Sequence, residues 1–295
     1  MTVDVESFSI SLNRCDDTTA KRVYEEALPV MLDLFSKYDI QATFFFTGMI
    51  AERFPDAVQQ VFDQGHEIGC HGYNHANDRA FDILSYEEQI ADMSKAKKIL
   101  TDIVGPVESF RAPALRLNEN SVRALEATQF RNDSSICSQR FDGPFTFGSK
   151  RKIKWLGAPR SPYFLSYDSV CKRGTSTIFE VPISAMIFPY SGTLLRRTPN
   201  MTKILQWFLY QESKNTENPV TFLIHPNEFI PAEKIVVTRR AKNPVEYIFA
   251  DVIRQRLKIK NLGPECVRLL DDLLASVKKF EPEYISISSY KQKFG

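Results

Sequence analysis

Short apolar runs alternate with longer segments of helical periodicity along most of this chain. Strand-like runs cover residues 2–6, 41–47, 66–70, 107–112, 130–136, 177–184 and 220–225. Helical patterns cover residues 18–38, 51–63, 86–103, 118–127, 201–211 and 264–280, and a last short strand is predicted at 284–288. Such alternation is typical of βαβ units and a parallel sheet. Six or seven units favour a closed or nearly closed α/β barrel, as one domain over residues 1–295, rather than two separate domains.

Composition narrows the class of protein. The chain is 43% hydrophobic and 25% charged, which is ordinary for a globular protein, and its formal net charge of +2 gives no reason to expect nucleic acid as a partner. Five widely spaced cysteines without a CxxC pair argue against a thiolate zinc site. No signal peptide and no apolar run long enough to span a bilayer is visible, so we expect a cytoplasmic protein, with a peripheral position at a membrane as the alternative.

Polar residues occur where the apolar strands end. Because the carboxyl ends of the strands meet at one face of such a barrel, we expect these side chains to converge there. They are Asp4, Glu6, His71, His75, Arg111 and His225. The agreement between topology and chemistry is stronger evidence than any of these residues alone.

The spacing His71-x3-His75 suits a divalent metal ion, because two imidazoles four residues apart can lie on one side of a turn. Asp4 and Glu6 alternate along a strand and therefore point to the same face, where two carboxylates repel unless a cation separates them. We predict that Glu6, His71 and His75 hold the metal. Taken singly, each motif also fits solvated acids or hydrogen-bonded histidines.

The remaining polar residues are interpreted as proton carriers and their support. Asp4 is predicted to be the general base, kept ionised and oriented by Arg111. His225 ends the apolar run 220–224 and is predicted to be the general acid. A surface arginine and a satisfied core histidine are the structural alternatives. His66 lies five residues before His71, on the opposite face of an extended strand, and is given a structural role.

These motifs resemble the polysaccharide deacetylases of the NodB-homology type, carbohydrate esterase family 4. Residues 2–6 (TVDVE), 71–75 (HGYNH), 110–113 (FRAP) and 223–225 (LIH) carry the resemblance, in the same order and over residues 2 to about 230. Residues 132–135, 180–184 and 224–229 resemble a branch that reads DVE and is linked to exopolysaccharide and surface-glycan synthesis. The resemblance implies a distorted (β/α)7-type barrel, with residues 231–295 as a C-terminal extension packed on it.

The resemblance also implies a cofactor and a reaction. The ion expected is zinc, with cobalt, nickel or iron as alternatives, and the reaction is removal of an N-acetyl group from an amino sugar. In the first motif Val5 replaces the usual second Asp, so the metal carboxylate must come from Glu6. The fourth motif, an Asp and a Trp lining the pocket, has no clean copy, and Asp133 and Glu180 are the candidates for its polar part. Tyr73, Pro113 and Leu223 complete the predicted substrate-binding set, with a main-chain N–H near Tyr73 as the oxyanion donor.

The sequence therefore predicts a metal-dependent hydrolase that removes N-acetyl groups from an amino sugar of a surface polysaccharide, an O-antigen or its lipid-linked or nucleotide-linked precursor. A deformylase, another hydrolase of non-peptide C–N bonds, and a non-catalytic glycan-binding member remain the alternatives. Residues 137–175, rich in Gly, Ser, Pro and Arg, are expected to shape the glycan groove. The oligomeric state stays open.

Overall fold

The computed structural model describes residues 1–75, 79–140, 150–232, 243 and 247–294. The strands are β1 (Thr2–Val5), β2 (Phe8–Ser9), β3 (Arg14–Cys15), β4 (Thr43–Phe46), β5 (Glu67–Cys70), β6 (Ser109–Phe110), β7 (Asn132–Asp133), β8 (Tyr163–Ser166), β9 (Ser169–Arg173), β10 (Phe179–Glu180), β11 (Ala185–Met186), β12 (Phe188–Pro189) and β13 (Leu223–Ile224). The α-helices are α1 (Asp17–Arg22), α2 (Leu28–Lys37), α3 (Gly48–Arg53), α4 (Pro55–Asp63), α5 (Tyr86–Val104), α6 (Asn120–Ala127), α7 (Gly192–Arg197), α8 (Pro199–Thr216), α9 (Arg254–Lys258), α10 (Pro264–Val277) and α11 (Ile287–Phe294).

Seven parallel strands form the barrel, in the order β13, β1, β4, β5, β6, β7, β10. The wall closes between β10 and β13 without a regular ladder. There the Ser184 N–H donates to Thr221 O at 3.1 Å, and the Leu223 N–H donates to Tyr190 O at 3.2 Å. The predicted α/β fold with a distorted (β/α)7-type barrel is confirmed, and β8 and β9 extend the sheet antiparallel beyond β10.

Burial explains why the central strands read as unbroken apolar runs. All positions of β1 and β4 are buried, as expected for parallel strands covered on both faces. Phe45 of β4 fills the inside of the barrel, and it leaves no room for a side chain at Gly69, whose added Cβ would lie 2.5 Å from the ring. Above it the Arg111 guanidinium carbon lies 4.4 Å from the ring centroid. Below it Phe179, Val181 and Ile287 complete a small apolar cluster.

The C-terminal segments pack on two sides of the barrel. The Gly263 N–H, just before α10, donates to Glu228 O at 3.0 Å, near the face where the polar motifs lie. At the opposite end, Ser288 of α11 contacts Glu67 and Asn132 through its side chain. None of the helices in the described parts of the chain combines the length and the apolar character that crossing a lipid bilayer requires.

Several local predictions need correction. The strand predicted at 284–288 is wrong, because a helix begins at Ile287 and Ile287 N–H donates to the Thr43 hydroxyl. The stretch 137–175 contains the β8–β9 hairpin, and its residues 141–149 lie outside the described ones. The helix predicted from Asn118 begins at Asn120, although Asn118 still accepts the Asn120 N–H.

Two predicted helices are interrupted. A π-helical turn at Val23–Ala27 separates α1 from α2, where one helix was expected over 18–38. Pro55 divides the helix expected over 51–63 into α3 and α4. Proline has no N–H to donate to the preceding turn, and its ring clashes with the carbonyl group four residues earlier. Both breaks lie outside the barrel wall.

Candidate metal centre and active site

The six predicted polar residues converge at the carboxyl ends of the barrel strands. They lie on or directly after β1, β5, β6 and β13, apart from His75, which lies four residues beyond His71. His71 Nε2 is 3.8 Å from Asp4 Oδ2 and 3.8 Å from Glu6 Oε2. His75 Nε2 is 3.1 Å from Glu6 Oε2, and His225 Nε2 is 3.8 Å from Asp4 Oδ2. The two carboxylates therefore lie among three imidazoles.

The His71 ring is held in the tautomer that a metal ligand needs. Its Nδ1–H donates to the Arg111 carbonyl oxygen at 2.8 Å, which leaves the Nε2 lone pair directed toward Glu6 and Asp4. Burial lowers the pKa of His71, because the enclosed site disfavours an imidazolium. His71 is accordingly neutral near pH 7.

Glu6 carries the clearest sign that a cation fits here. Its Oε2 is buried without a hydrogen-bond partner among the described residues, while Asn227 Nδ2 donates to its Oε1 at 3.5 Å. One ligand atom each from Glu6, His71 and His75 lies within 4.8 Å of the others. A carboxylate oxygen and two imidazole nitrogens are a usual donor set for zinc and similar ions, so the residues present fit a divalent metal.

Asp4 and Arg111 form a buried pair beside this site. Arg111 Nη1 donates to Asp4 Oδ1 at 2.8 Å, and its other nitrogens donate to Ser134 O and Ser134 Oγ, both at 2.6 Å. Burial alone would raise the pKa of Asp4, but Arg111, His71 and His225 outweigh it and lower that pKa. Asp4 stays ionised, with its Oδ2 facing the histidines.

His225 belongs to a relay that motif reasoning did not identify. His225 Nδ1–H donates to Glu228 Oε1 at 3.1 Å, and Glu228 Oε2 accepts from Arg196, which is buried. Burial would lower the pKa of His225, but Glu228, Glu6 and Asp4 outweigh it and raise it to about 9. The sequence contains the signal, since Glu228 lies in the 3₁₀ turn at 226–229 and follows His225, the residue before that turn, by three positions.

The main-chain N–H of Tyr73, near which the oxyanion donor is predicted, already has a hydrogen-bond partner. The Tyr73 N–H donates to Asp92 Oδ1 at 2.8 Å, and the Tyr73 hydroxyl donates to Glu52, so the N–H predicted there is engaged. Instead the Ala114 N–H points into the site and donates to His75 Nε2 at 3.1 Å. Ala114 has φ +54°, a left-handed conformation that non-glycine residues seldom adopt and that functional sites often contain.

The other predicted substrate-binding residues lie behind the site. Asp133 and Glu180 have no exposed surface, which argues against the predicted role as pocket lining. Asp133 accepts from Ser135 Oγ at 2.5 Å and Glu180 accepts from Ile136 N–H at 3.0 Å. Pro113 is buried at the start of the turn that places Ala114, and Leu223 is 7% exposed beside β1, so neither side chain offers a polar contact.

Comparison with known proteins agrees with this geometry. Residues 11–132 match the family model described as polysaccharide deacetylase. A peptidoglycan deacetylase of Helicobacter pylori is 30% identical over 118 residues, covering 40% of this chain and 39% of that protein. A peptidoglycan-N-acetylglucosamine deacetylase of Bacillus cereus is 34% identical over 99 residues, covering 33% of this chain and 35% of that protein. The match thus spans less than half the length of these relatives.

A solved structure shows the same fold over most of the chain. A protein described as a probable polysaccharide deacetylase from Pseudomonas aeruginosa PAO1 superposes with a TM-score of 0.56 at 13% identity, covering 94% of this chain and 84% of that chain. The family match includes His71, His75 and Arg111, whereas Asp4, Glu6 and His225 lie outside it and are joined to them by the barrel. This chain is therefore similar to the polysaccharide deacetylase family over residues 11–132, and its fold is the (β/α)7-type barrel of the solved structure described as a probable polysaccharide deacetylase.

Proposed function

We propose that this protein is a metal-dependent carbohydrate N-deacetylase that acts on an N-acetylated amino sugar of a surface polysaccharide or its precursor. The observation that carries the proposal is the Glu6 Oε2 between two imidazoles, which has no hydrogen-bond partner in the part of the chain that the structure describes and lies beside a carboxylate that an arginine keeps ionised. Zinc is the metal we propose for Glu6, His71 and His75. Such an ion would polarise the amide carbonyl and lower the pKa of the attacking water.

The chain's own residues divide the proton transfers. Asp4 Oδ2 accepts a proton from water as the water oxygen bonds to the acyl carbon, and Arg111 keeps that carboxylate in place. His225, cationic through Glu228, donates its Nε2 proton to the nitrogen as the C–N bond breaks. The products are acetate and a free amino sugar, and the next turnover begins once Asp4 has passed its proton on and His225 has regained one.

Ala114 supplies the main-chain donor for the negative charge that develops on the carbonyl oxygen. Its N–H already points at the site, where it meets His75 Nε2. Once the His75 lone pair is used by a ligand, this N–H becomes available to a substrate oxygen. Removal of one such donor typically costs about 10²–10³-fold in rate.

The first experiment measures acetate release by the zinc-loaded protein from N-acetylglucosamine oligomers, a nucleotide-linked N-acetyl amino sugar and a lipid-linked one, each beside its N-formyl counterpart. We expect acetate from at least one substrate, and Asp4→Asn and His225→Gln should each lower its rate by about 10²–10⁴-fold. Formate without acetate would favour the deformylase instead. Release unchanged in both variants would contradict the assigned roles.

Metal content tests the ligands separately from turnover. His71→Ala and His75→Ala should each lose tightly bound zinc in elemental analysis, whereas His66→Ala should retain it, because His66 packs against Phe35 and Phe44 away from the site. Full zinc occupancy in the His71 and His75 variants would overturn the ligand assignment. A protein that refuses zinc and cobalt altogether would favour a non-catalytic glycan-binding member.

A further inference from the structure

An exposed apolar surface lies on the outside of the barrel, away from the polar residues described above. It joins the β11–β12 hairpin to the outer face of α8, and we call it the α8 surface. Its six large side chains are 41–58% exposed. They are Met186, Ile187, Phe188, Ile204, Trp207 and Phe208. Contiguous apolar surface of this kind on a globular protein usually marks an interaction site.

Arg160 contacts both parts of the α8 surface, the hairpin and the helix. Its guanidinium pairs with Glu212 of α8 and donates to the Ala185 carbonyl oxygen of the hairpin. On α8 itself the buried residues Thr202, Leu205 and Leu209 face the barrel, so Ile204, Trp207 and Phe208 must face outward. The hairpin and the outer helix face therefore form one surface.

Ile187 at the hairpin tip is held in a costly conformation. Its φ is +66°, although a β-branched side chain rarely adopts the left-handed region, and the side chain is 58% exposed. Neither burial nor backbone preference accounts for an isoleucine at this position. An apolar contact made outside the described chain would account for it.

Basic side chains outnumber acidic ones in the segments that border the α8 surface, and Glu212 of α8 is paired with Arg160. Residues 185–211 contain three basic residues, of which Arg196 is buried, and no Asp or Glu. Residues 252–263 contain four basic residues and no Asp or Glu. The second segment adjoins the first, because Arg197 Nε donates to the Leu257 carbonyl oxygen and Lys260 Nζ donates to the Arg197 carbonyl oxygen. Lys203 and Arg256 are exposed, and Leu257 adds a side chain that is 43% exposed.

We propose that the α8 surface binds an anionic lipid membrane, with its apolar side chains among the acyl chains and its basic residues at the headgroups. Binding at the interface of an anionic membrane requires exposed Trp, Phe and Ile side chains beside lysine and arginine, which is the composition found here. A second copy of the chain is the less favoured occupant, because a two-fold contact would bring these basic residues against each other. The proposal does not depend on the deacetylase activity.

The position of α9 relates this surface to the barrel mouth. Gln255 of α9 donates to the Ile10 and Ser11 carbonyl oxygens, and the Lys258 ammonium lies 5.9 Å from the Phe8 ring centroid. The Phe8 ring in turn lies 5.8 Å from the His75 ring. A membrane bound along the α8 surface would therefore lie beside the rim of the metal centre.

Vesicle binding tests the proposal on the whole protein. Sedimentation with vesicles of equal phosphatidylglycerol and phosphatidylcholine should capture the protein at low salt, and pure phosphatidylcholine vesicles should capture at least tenfold less. Trp207→Ser with Phe208→Ser, and Lys203→Glu with Arg256→Glu, should each weaken capture by tenfold or more. Phe62→Ser on α4 and Lys98→Glu on α5, whose parent side chains are exposed, are the matched controls and should bind as the parent does.

Fluorescence supplies a second readout, because the two tryptophans differ in exposure. Trp155 is 4% exposed and Trp207 is 47% exposed, so a blue shift on vesicle binding reports Trp207, and Trp207→Phe should bind without the shift. Equal capture of the patch variants and the parent would overturn the proposal. So would a concentration-dependent dimer, in light scattering, that Trp207→Ser with Phe208→Ser abolishes while vesicles capture nothing.

Discussion

At the scale of single residues, the site depends on how neighbouring charges set the protonation of each histidine. His66 and His225 show the contrast most clearly. Burial lowers the pKa of His66 to about 4, whereas the carboxylates around His225 raise its pKa to about 9. The same residue type is thus a neutral packing group in one place and a cationic group among carboxylates in another.

The metal-free protein should show this contrast directly. Nuclear magnetic resonance titration of the imidazoles should find His225 cationic up to about pH 9 and His66 neutral above about pH 4. Histidine-to-glutamine variants assign the signals. A His225 that titrates near its ordinary pKa of 6.5 would contradict the relay.

Glu228→Gln should lower the pKa of His225 and reduce the free energy of unfolding by about 3–5 kcal/mol, because it leaves Arg196 buried without its partner.

This loss of unfolding free energy depends on pH. His225 has a raised folded-state pKa, so its contribution is complete below 6.5 and disappears as pH rises through about 9. Glu228 has a lowered pKa of about 2, so its contribution is complete above 4.5 and disappears as pH falls toward 2. Calorimetry across this range, with the exposed Glu283→Gln as control, should find the largest difference between pH 4.5 and 6.5.

The buried pair Asp133 and Glu180 should oppose stability at high pH. Burial raises both pKa values, that of Asp133 to about 6, and the negative charge of Asp133 raises that of Glu180 further. The folded state therefore binds more protons than the unfolded one, and its stability falls as pH rises from about 4 through 6. Glu180→Gln should flatten this fall by about 1–3 kcal/mol between pH 5 and pH 8. Thermal unfolding at both pH values checks it, with the exposed Glu87→Gln as control; parallel curves for parent and Glu180→Gln would contradict it.

At the scale of elements, the sequence predicted the repeated strands of the barrel and missed individual turns, hairpins and the last helix. Apolar runs located all seven barrel strands, because parallel strands are buried on both faces and therefore consist mainly of apolar residues. The hydrogen-bonded strands are shorter than the apolar runs that predicted them, as at Ser109–Phe110 within 107–112. The apolar residues continue beyond the point where strand pairing stops. The turn at Ala114, the β8–β9 hairpin and the helix at 287–294 have no such pattern, and packing against distant residues decides them.

The Ala114 turn gives a matched pair of substitutions. Ala114→Gly should raise the free energy of unfolding by up to about 1 kcal/mol, because glycine adopts φ +54° without the steric cost that alanine bears. Ala112→Gly, at φ −72°, should instead lower it by about 0.5–1 kcal/mol. Chemical denaturation measures both. The Ala114→Gly variant keeps its N–H and should keep its acetate release, whereas a destabilised Ala114→Gly would show that the turn is not strained.

At the scale of the whole molecule, the sequence predicted which polar side chains converge but not which contacts hold them in place. Motif spacing brought Asp4, Glu6 and the histidines to one face, and the structure agrees. Arg196, Glu228 and Ser134 were not assigned roles, because their value arises from contacts between elements far apart in the chain. The C-terminal segments illustrate this, since Arg196 also donates to the carbonyl oxygens of Lys258 and Lys260.

The helix at the base of the barrel should stabilise the fold without taking part in the chemistry. Ile287 is 5% exposed and packs in the cluster that contains Phe45, so Ile287→Ala should cost about 2–4 kcal/mol of unfolding free energy. Ile83→Ala, at a position 55% exposed, should cost less than about 0.5 kcal/mol. Zinc affinity should be the same in both folded variants; a large loss of zinc in Ile287→Ala alone would mean that the base and the metal centre are coupled.

Phe45 also determines the route that small molecules can take. Its ring and the Arg111 guanidinium, both without solvent exposure, close the centre of the barrel between the metal centre and the base. Among the described residues, this leaves water, acyl group and amine the route past the partly exposed imidazoles of His75 and His225. If the sugar product occupies this entrance, acetate cannot leave before it. We therefore expect an ordered release of products, in which the larger product leaves first.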